Sequence, residues 1–157
     1  MSSHARIEAA SNARQLIRTA RKSVLGALDA ATRAPYVSLV TVALGPAGEP
    51  LLLLSRLARH TQNLQRDPQA SLLFDGTSAE GDPLAGGRVT LMGDLAGVPT
   101  AGRDAARAAF LAAHPDAAMY ADFADFGFWS FAIASAHFIG GFGRIVELTA
   151  ADVRVHV

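Results

Sequence analysis

At 157 residues, half of them hydrophobic, the chain is sized for one compact domain with a real core, spanning 1–157. Its 14 Lys and Arg balance 14 Asp and Glu, so no net field draws it to nucleic acid or to an anionic membrane. Cysteine is absent, which excludes disulfides, thiolate metal sites and a cysteine nucleophile.

The opening MSSHARIEAASNARQLIR lacks the apolar stretch of a signal peptide, and no run approaches membrane-spanning length, so a cytoplasmic location is expected. Residues Ala5 to Lys22 place Ile7, Ala10, Leu16, Ile17 and Ala20 near a period of 3.6, which predicts an amphipathic helix with a solvated basic face. Val24 to Asp29 and Tyr36 to Leu44 read as strands separated by the turn-like ATRAP, and GPAGEP turns the chain into a third strand at Leu51. A short helix ending at Asp67-Pro68 follows, then a buried strand from Ala70 to Phe74 and a Gly/Ser/Asp-rich loop from Asp75 to Gly87. Arg88 to Val98 alternates well enough for a long strand, with a bend expected at Gly93. The Ala-rich run from Thr100 to His114 is a helix stopped by Pro115. DAAMYADFADFGFWSF opens as a short helix and becomes a strand at about Phe128, and HFIGGFGRIVEL is a final, glycine-interrupted strand. About six strands and three helices, with the strands mostly consecutive, point to a mainly β domain: a small antiparallel barrel flanked by helices.

The stretch LLLLSRLARHTQNLQRDPQASLLFD carries the most chemistry. Ser55, Arg56, Arg59, His60, Thr61 and Asn63 crowd hydrogen-bond donors and positive charge around a predicted helix start, where free backbone N–H groups and the macrodipole favour an anion such as phosphate. The bland alternative is a capped, solvated connector. Helical spacing lets about half of the set face one ligand, and Asn63 suits a bracing role. Arg88 begins a strand after two glycines and either reaches a ligand or pairs with Asp75 or Asp82. Gly140, Gly141 and Gly143 interrupt an apolar strand, which suggests a bulge or a backbone that closely approaches a ligand. Phe123, Phe126, Phe128, Trp129, Phe131 and Phe138 read mostly as core. The five histidines show no HxxxH or HxH spacing, which argues against zinc; Asp116, Asp122 and Asp125 read as the wet side of a short helix; and no GxSxG motif supports a serine hydrolase.

In order, PYVSLVTVA, the hairpin, SRLARHTQNLQRDPQASLLF, GDPLAGGRVTLMG, FLAAHPDAAMYADFADFGFW and HFIGGFGRI resemble the pyridoxamine phosphate oxidase-like family of FMN-binding split barrels, most closely its haem-utilisation-associated branch. The likeness runs from about Ala13 to Val146. It implies a six-stranded antiparallel split β-barrel, a homodimer, and FMN held in grooves between subunits. By position, the resemblance puts Arg59 and His60 where the oxidases have an Arg-Lys pair for the FMN phosphate. Ser38 falls on the strand lining the flavin, Leu53 and Leu54 on the strand passing its ring, Arg88 near the isoalloxazine edge, and the GGFGR tail near flavin-side residues. The oxidases' Arg-Leu-His substrate motif has no counterpart, and the further C-terminal domain of many haem-utilisation relatives is not expected after Val157.

Three functions follow from these readings. The first is an FMN-dependent oxidoreductase in which the protein positions and tunes the flavin while a small-molecule substrate or electron donor meets it. The second is a haem-binding or haem-utilisation protein with His137 or His156 as ligand. The third is a non-catalytic flavin-binding barrel.

Overall fold

The computed structural model describes residues 2–157. Helix α1 spans Ser3–Thr19. It begins earlier than expected because Ser2 caps it, accepting a bond from the Ala5 N–H. Its buried stripe is Ala9, Ala10, Ala13 and Ile17, small enough to let the helix lie close on the sheet.

The strands are β1 (Lys22–Leu28), β2 (Pro35–Thr41), β3 (Ala43–Leu44), β4 (Pro50–Ser55), β5 (Gln69–Asp75), β6 (Gly87–Gly97), β7 (Phe126–Gly140) and β8 (Ile145–Thr149). They form one antiparallel sheet in the order β2-β1-β5-β6-β7-β4-β3, with β8 also on β7. The path curls back on itself so that its first strand, β2, touches β4, the last strand but one, without pairing, which leaves the barrel split. Eight strands replace the expected six or so, and two of the boundaries differ from expectation for local reasons. The Tyr36–Leu44 run breaks where Val42 donates to the Arg21 carbonyl instead of continuing its ladder. The glycine-rich tail is a hairpin turn that divides the expected last strand between β7 and β8.

β7, at 15 residues, organises the sheet. Its first part pairs with β4 and its last part with β8, while β6 follows its other edge. The expected bend is present: the β6–β7 register shifts between Met92 and Gly93, and a Cβ on Gly93 would strike the Ala132 carbonyl oxygen.

Helix α2 (Arg59–Arg66) links β4 to β5, α3 (Arg103–Ala113) lies between β6 and β7, and a short α4 (Ala150–Val153), missed in the sequence, closes with a capping box between Thr149 and Asp152. The continuous apolar run of β4 is explained by burial on both faces. Leu52 and Leu54 join the barrel core with Leu72, Phe74, Val89, Leu91 and Phe138, while Leu51 and Leu53 meet Phe110 and Phe128 beneath α3. Each fully buried Leu contributes roughly 1.5–3 kcal/mol. No helix among the described residues is long and apolar enough to cross a membrane.

Candidate functional site

The elbow forms where β4 ends at Ser55 and α2 begins at Arg59. Ala58 occupies the N-cap and offers no side-chain oxygen, so the helix starts without a side-chain cap. The polar residues around it are largely occupied with one another. The Arg59 Nε and a terminal guanidinium nitrogen donate to one oxygen of Asp29, at 2.9 and 2.7 Å, and the guanidinium stacks over Tyr36, 4.8 Å from the ring centre. Asp29 is buried, and its other oxygen accepts from the N–H groups of Ala31 and Thr32 and from the Thr32 hydroxyl. The bond from the Thr32 backbone, then the one from Arg59, hold its carboxyl far below the usual carboxylate range. Asp29 is therefore ionised at neutral pH and competes with any phosphate for Arg59.

His60 is half-buried. Burial lowers its pKa below the ordinary value, so it is neutral near pH 7 and adds no charge to the elbow. Its Nδ1 lies 3.2 Å from the Ser38 hydroxyl, which brings these two expected site residues together. Ser55 donates to Asp125 at 2.8 Å, and the Arg56 N–H donates to the Asp125 carbonyl, while the Arg56 side chain is exposed. The Asn63 Oδ1 accepts from the Ala30 N–H at 2.8 Å, the bracing role weighed in the sequence. Two buried polar atoms at the elbow, Thr61 Oγ1 and Asn63 Nδ2, have no hydrogen-bond partner among the described residues. Asp29 and Asp125, the partners that define the elbow, were not singled out from the sequence as its members, because both approach from distant strands and turns.

Arg88 and Gly141 stand apart from this group. Ser55 pairs with Phe126 at the start of β7, whereas Gly87, next to Arg88, pairs with Gly140 at its end. Arg88 donates to the carbonyls of Leu84 and Gly86, closing the loop before β6 rather than forming a short ion pair with Asp75 or Asp82. Gly141 is in the β7–β8 turn at φ 104°, and a Cβ there would sit 2.8 Å from the Ala85 carbonyl oxygen. The turn's own geometry accounts for this glycine, so the cofactor-side role expected for it has no support in its surroundings. Within one chain the nine expected residues thus fall into two places.

A second polar arrangement lies on the outer sheet face, opposite the barrel core. Leu39, Val24, Leu73, Thr90, His137 and Glu147 follow one another across paired strands from β2 to β8. Within this row the His137 Nδ1 is 2.5 Å from a Glu147 oxygen, which orients the ring and leaves Nε2 without a hydrogen-bond partner among the described residues. Arg88 and Ile139, a pair in the next row of the same face, flank it. His156 is exposed near the C-terminus. Among the described residues no three His, Cys, Asp or Glu side chains cluster to hold a metal ion on their own.

Comparison with known proteins gives these features a family. The beta-barrel of the CREG family matches residues 4–153. The chain is 36% identical to a heme binding protein from Mycobacterium smegmatis, with a TM-score of 0.85, covering 93% of this chain and 60% of that one. It is 39% identical over 94 residues to the chloroplastic heme oxygenase HOZ of Arabidopsis thaliana, 60% of this chain and 28% of the relative. It therefore spans less than two thirds of either of these relatives. A Clostridium acetobutylicum protein of the pyridoxinephosphate oxidase family shares the fold at 11% identity, with a TM-score of 0.71, covering 94% of this chain and 98% of that one.

Proposed function

Because this chain belongs to the CREG beta-barrel family, whose split-barrel fold it shares, we propose that it is a haem-binding protein that carries the group on its outer sheet face. The observation that carries the reading is the His137–Glu147 pair. An imidazole whose Nδ1 is fixed by a carboxylate and whose Nε2 is free is the donor an iron porphyrin takes from a protein. The surroundings suit the rest of the group: Leu73, Ile139 and Ile145 supply apolar contact, and Arg88 supplies charge for a propionate. The named relatives at 36% and 39% identity support the same reading, one described as heme binding and the other as a heme oxygenase.

The outer face also supports a homodimer. Val37 and Leu39, neighbours on the outer face of β2, are 68% and 65% exposed, apolar surface that a two-fold contact with a second copy would bury. Light scattering at micromolar protein tests this, with twice the 16.4 kDa chain mass expected.

A second reading, an FMN-dependent oxidoreductase, keeps one observation of its own: the unpartnered Thr61 Oγ1 and Asn63 Nδ2 near the uncapped start of α2. Against it stand the Arg59–Asp29 pair and the neutral His60. The absorption spectrum of the purified protein, followed by hemin titration, separates the two. A Soret band that saturates, with affinity reduced at least about tenfold in His137→Ala, is the expected result. Flavin bands with no Soret band would turn the assignment to FMN, and unchanged hemin affinity in His137→Ala would move the haem away from this face.

A further inference from the structure

We infer that a cavity between the N-terminal end of α1 and the β7–β8 hairpin is a second binding site, for an amphipathic organic anion with an apolar body and one acidic head. The cavity has a volume of about 440 Å³, lies apart from the elbow, and meets the outer face only at Ile145. Ala5 and Ala9, one helical turn apart, present only methyl groups to β7 and β8, and this leaves the gap that larger side chains on α1 would fill. Phe138 and Val146 complete an apolar floor continuous with the barrel core, and Ile145, 59% exposed, forms part of the wall.

The polar groups sit at the rim. Asn12, His4, Glu8 and Arg144 line the cavity, and Arg144 is held there by a turn with Gly141 and Gly143 at φ 104° and 80°. Its guanidinium approaches Glu8 no closer than 3.8 Å, beyond hydrogen-bond range, with the two side chains 69% and 53% exposed. Arg59 and Arg107, in contrast, each make two short bonds to a carboxylate. Arg144 therefore keeps its fork of donors for a carboxylate or sulfonate that displaces Glu8. The adjoining N-terminal turn of α1 adds a favourable potential for the same charge. An apolar concavity with a few convergent polar groups at one end is the usual form of a small-molecule site.

The test uses the intact chain and two probes, the fluorescent sulfonate 8-anilinonaphthalene-1-sulfonate and the carboxylate decanoate. Expected are fluorescence enhancement, its reversal by decanoate, and amide chemical-shift changes at His4, Ala9, Asn12 and Arg144 to Val146. Arg144→Gln should weaken both probes by about tenfold, Arg144→Lys should retain most of the affinity, and Ala5→Phe should abolish binding with unchanged melting temperatures. Equal binding of neutral decanol, full affinity in Arg144→Gln, shifts confined to the outer face around Leu39 and His137, or no binding at all would each overturn the assignment. Hemin titration of Arg144→Gln stays normal whether or not the cavity binds anions, so the haem reading stands or falls separately.

Discussion

The elbow and the β7–β8 hairpin hold similar inventories, arginine and histidine beside acidic side chains, yet use them in opposite ways. At the elbow the charges are committed: Arg59 is locked to the buried Asp29, Ser55 to Asp125, and His60 is neutral and bonded to Ser38. At the hairpin they are idle: among the described residues Arg144 has no hydrogen-bonding carboxylate, and the Nε2 of His137 has no hydrogen-bond partner. A cluster of functional side chains in sequence is thus a weak guide to a binding site. What counts is whether the fold has already supplied their partners.

The largest effect that sharpens this contrast is expected at Gly141. A valine there must adopt positive φ and approach the Ala85 carbonyl oxygen, at a cost of about 1–3 kcal/mol from the backbone alone. Chemical denaturation of Gly141→Val should show a clear loss of stability, because the hairpin depends on its turn. A stable variant with normal melting would mean that the turn reorganises freely, and would remove the argument that it fixes Arg144.

Next in size is Asn63→Ala at the elbow. The Asn63 Oδ1 satisfies the Ala30 N–H, and leaving such a group unpaired costs about 1–3 kcal/mol. Denaturation midpoints should fall accordingly. A neutral result would mean that water replaces the side chain, and the elbow would then be wetter and more open to ligands than its bonds suggest.

Much of the fold was legible because it follows from local rules. The Gly93 bend, the α3 stop at Pro115 and the hydrophobic β4 run each rest on backbone chemistry or burial that a short window contains. The site was less legible because its partners are remote. Nothing near Arg59 announces that Asp29, thirty residues earlier, takes two of its donors. Yet the His137–Glu147 pair was within reach. Residues equidistant from Phe142 face each other in a tight hairpin, and His137 and Glu147 are such a pair, as are Phe138 and Val146. Reading the GGFG segment as a turn, instead of a glycine-rich strand, brings the two together.

A smaller effect is expected from Thr61→Val. The buried Thr61 Oγ1 has no partner, so exchanging the hydroxyl for a methyl should change stability by no more than about 1 kcal/mol, and in the favourable direction. Thermal melts without ligand decide the matter. A loss beyond that range would reveal a bond the hydroxyl makes to ordered water, while a drop in FMN affinity with unchanged melting would revive the phosphate reading of the elbow.

The smallest effect is a pH slope, and it divides the elbow from the hairpin most finely. Burial lowers the pKa of His60 in the folded chain below its ordinary 6.5, so the unfolded chain binds the proton first as pH falls. The stability that depends on neutral His60 is complete above pH 6.5 and declines as pH drops through that value toward the folded pKa. Asp29 behaves alike in sign but in a separate window. Its carboxyl, held far below the ordinary 3.8, favours folding above that pH and loses its contribution only in stronger acid. Between pH 7 and 5 the Asp29 charge is therefore constant and the elbow's slope belongs to His60. Denaturation midpoints across that range should decline less steeply in His60→Gln than in the native chain, while Arg144→Gln, which changes the hairpin and leaves the elbow intact, should reproduce the native slope. Equal slopes in all three proteins would show that His60 is hydrated in solution, and the elbow would then regain the cationic histidine that a phosphate requires.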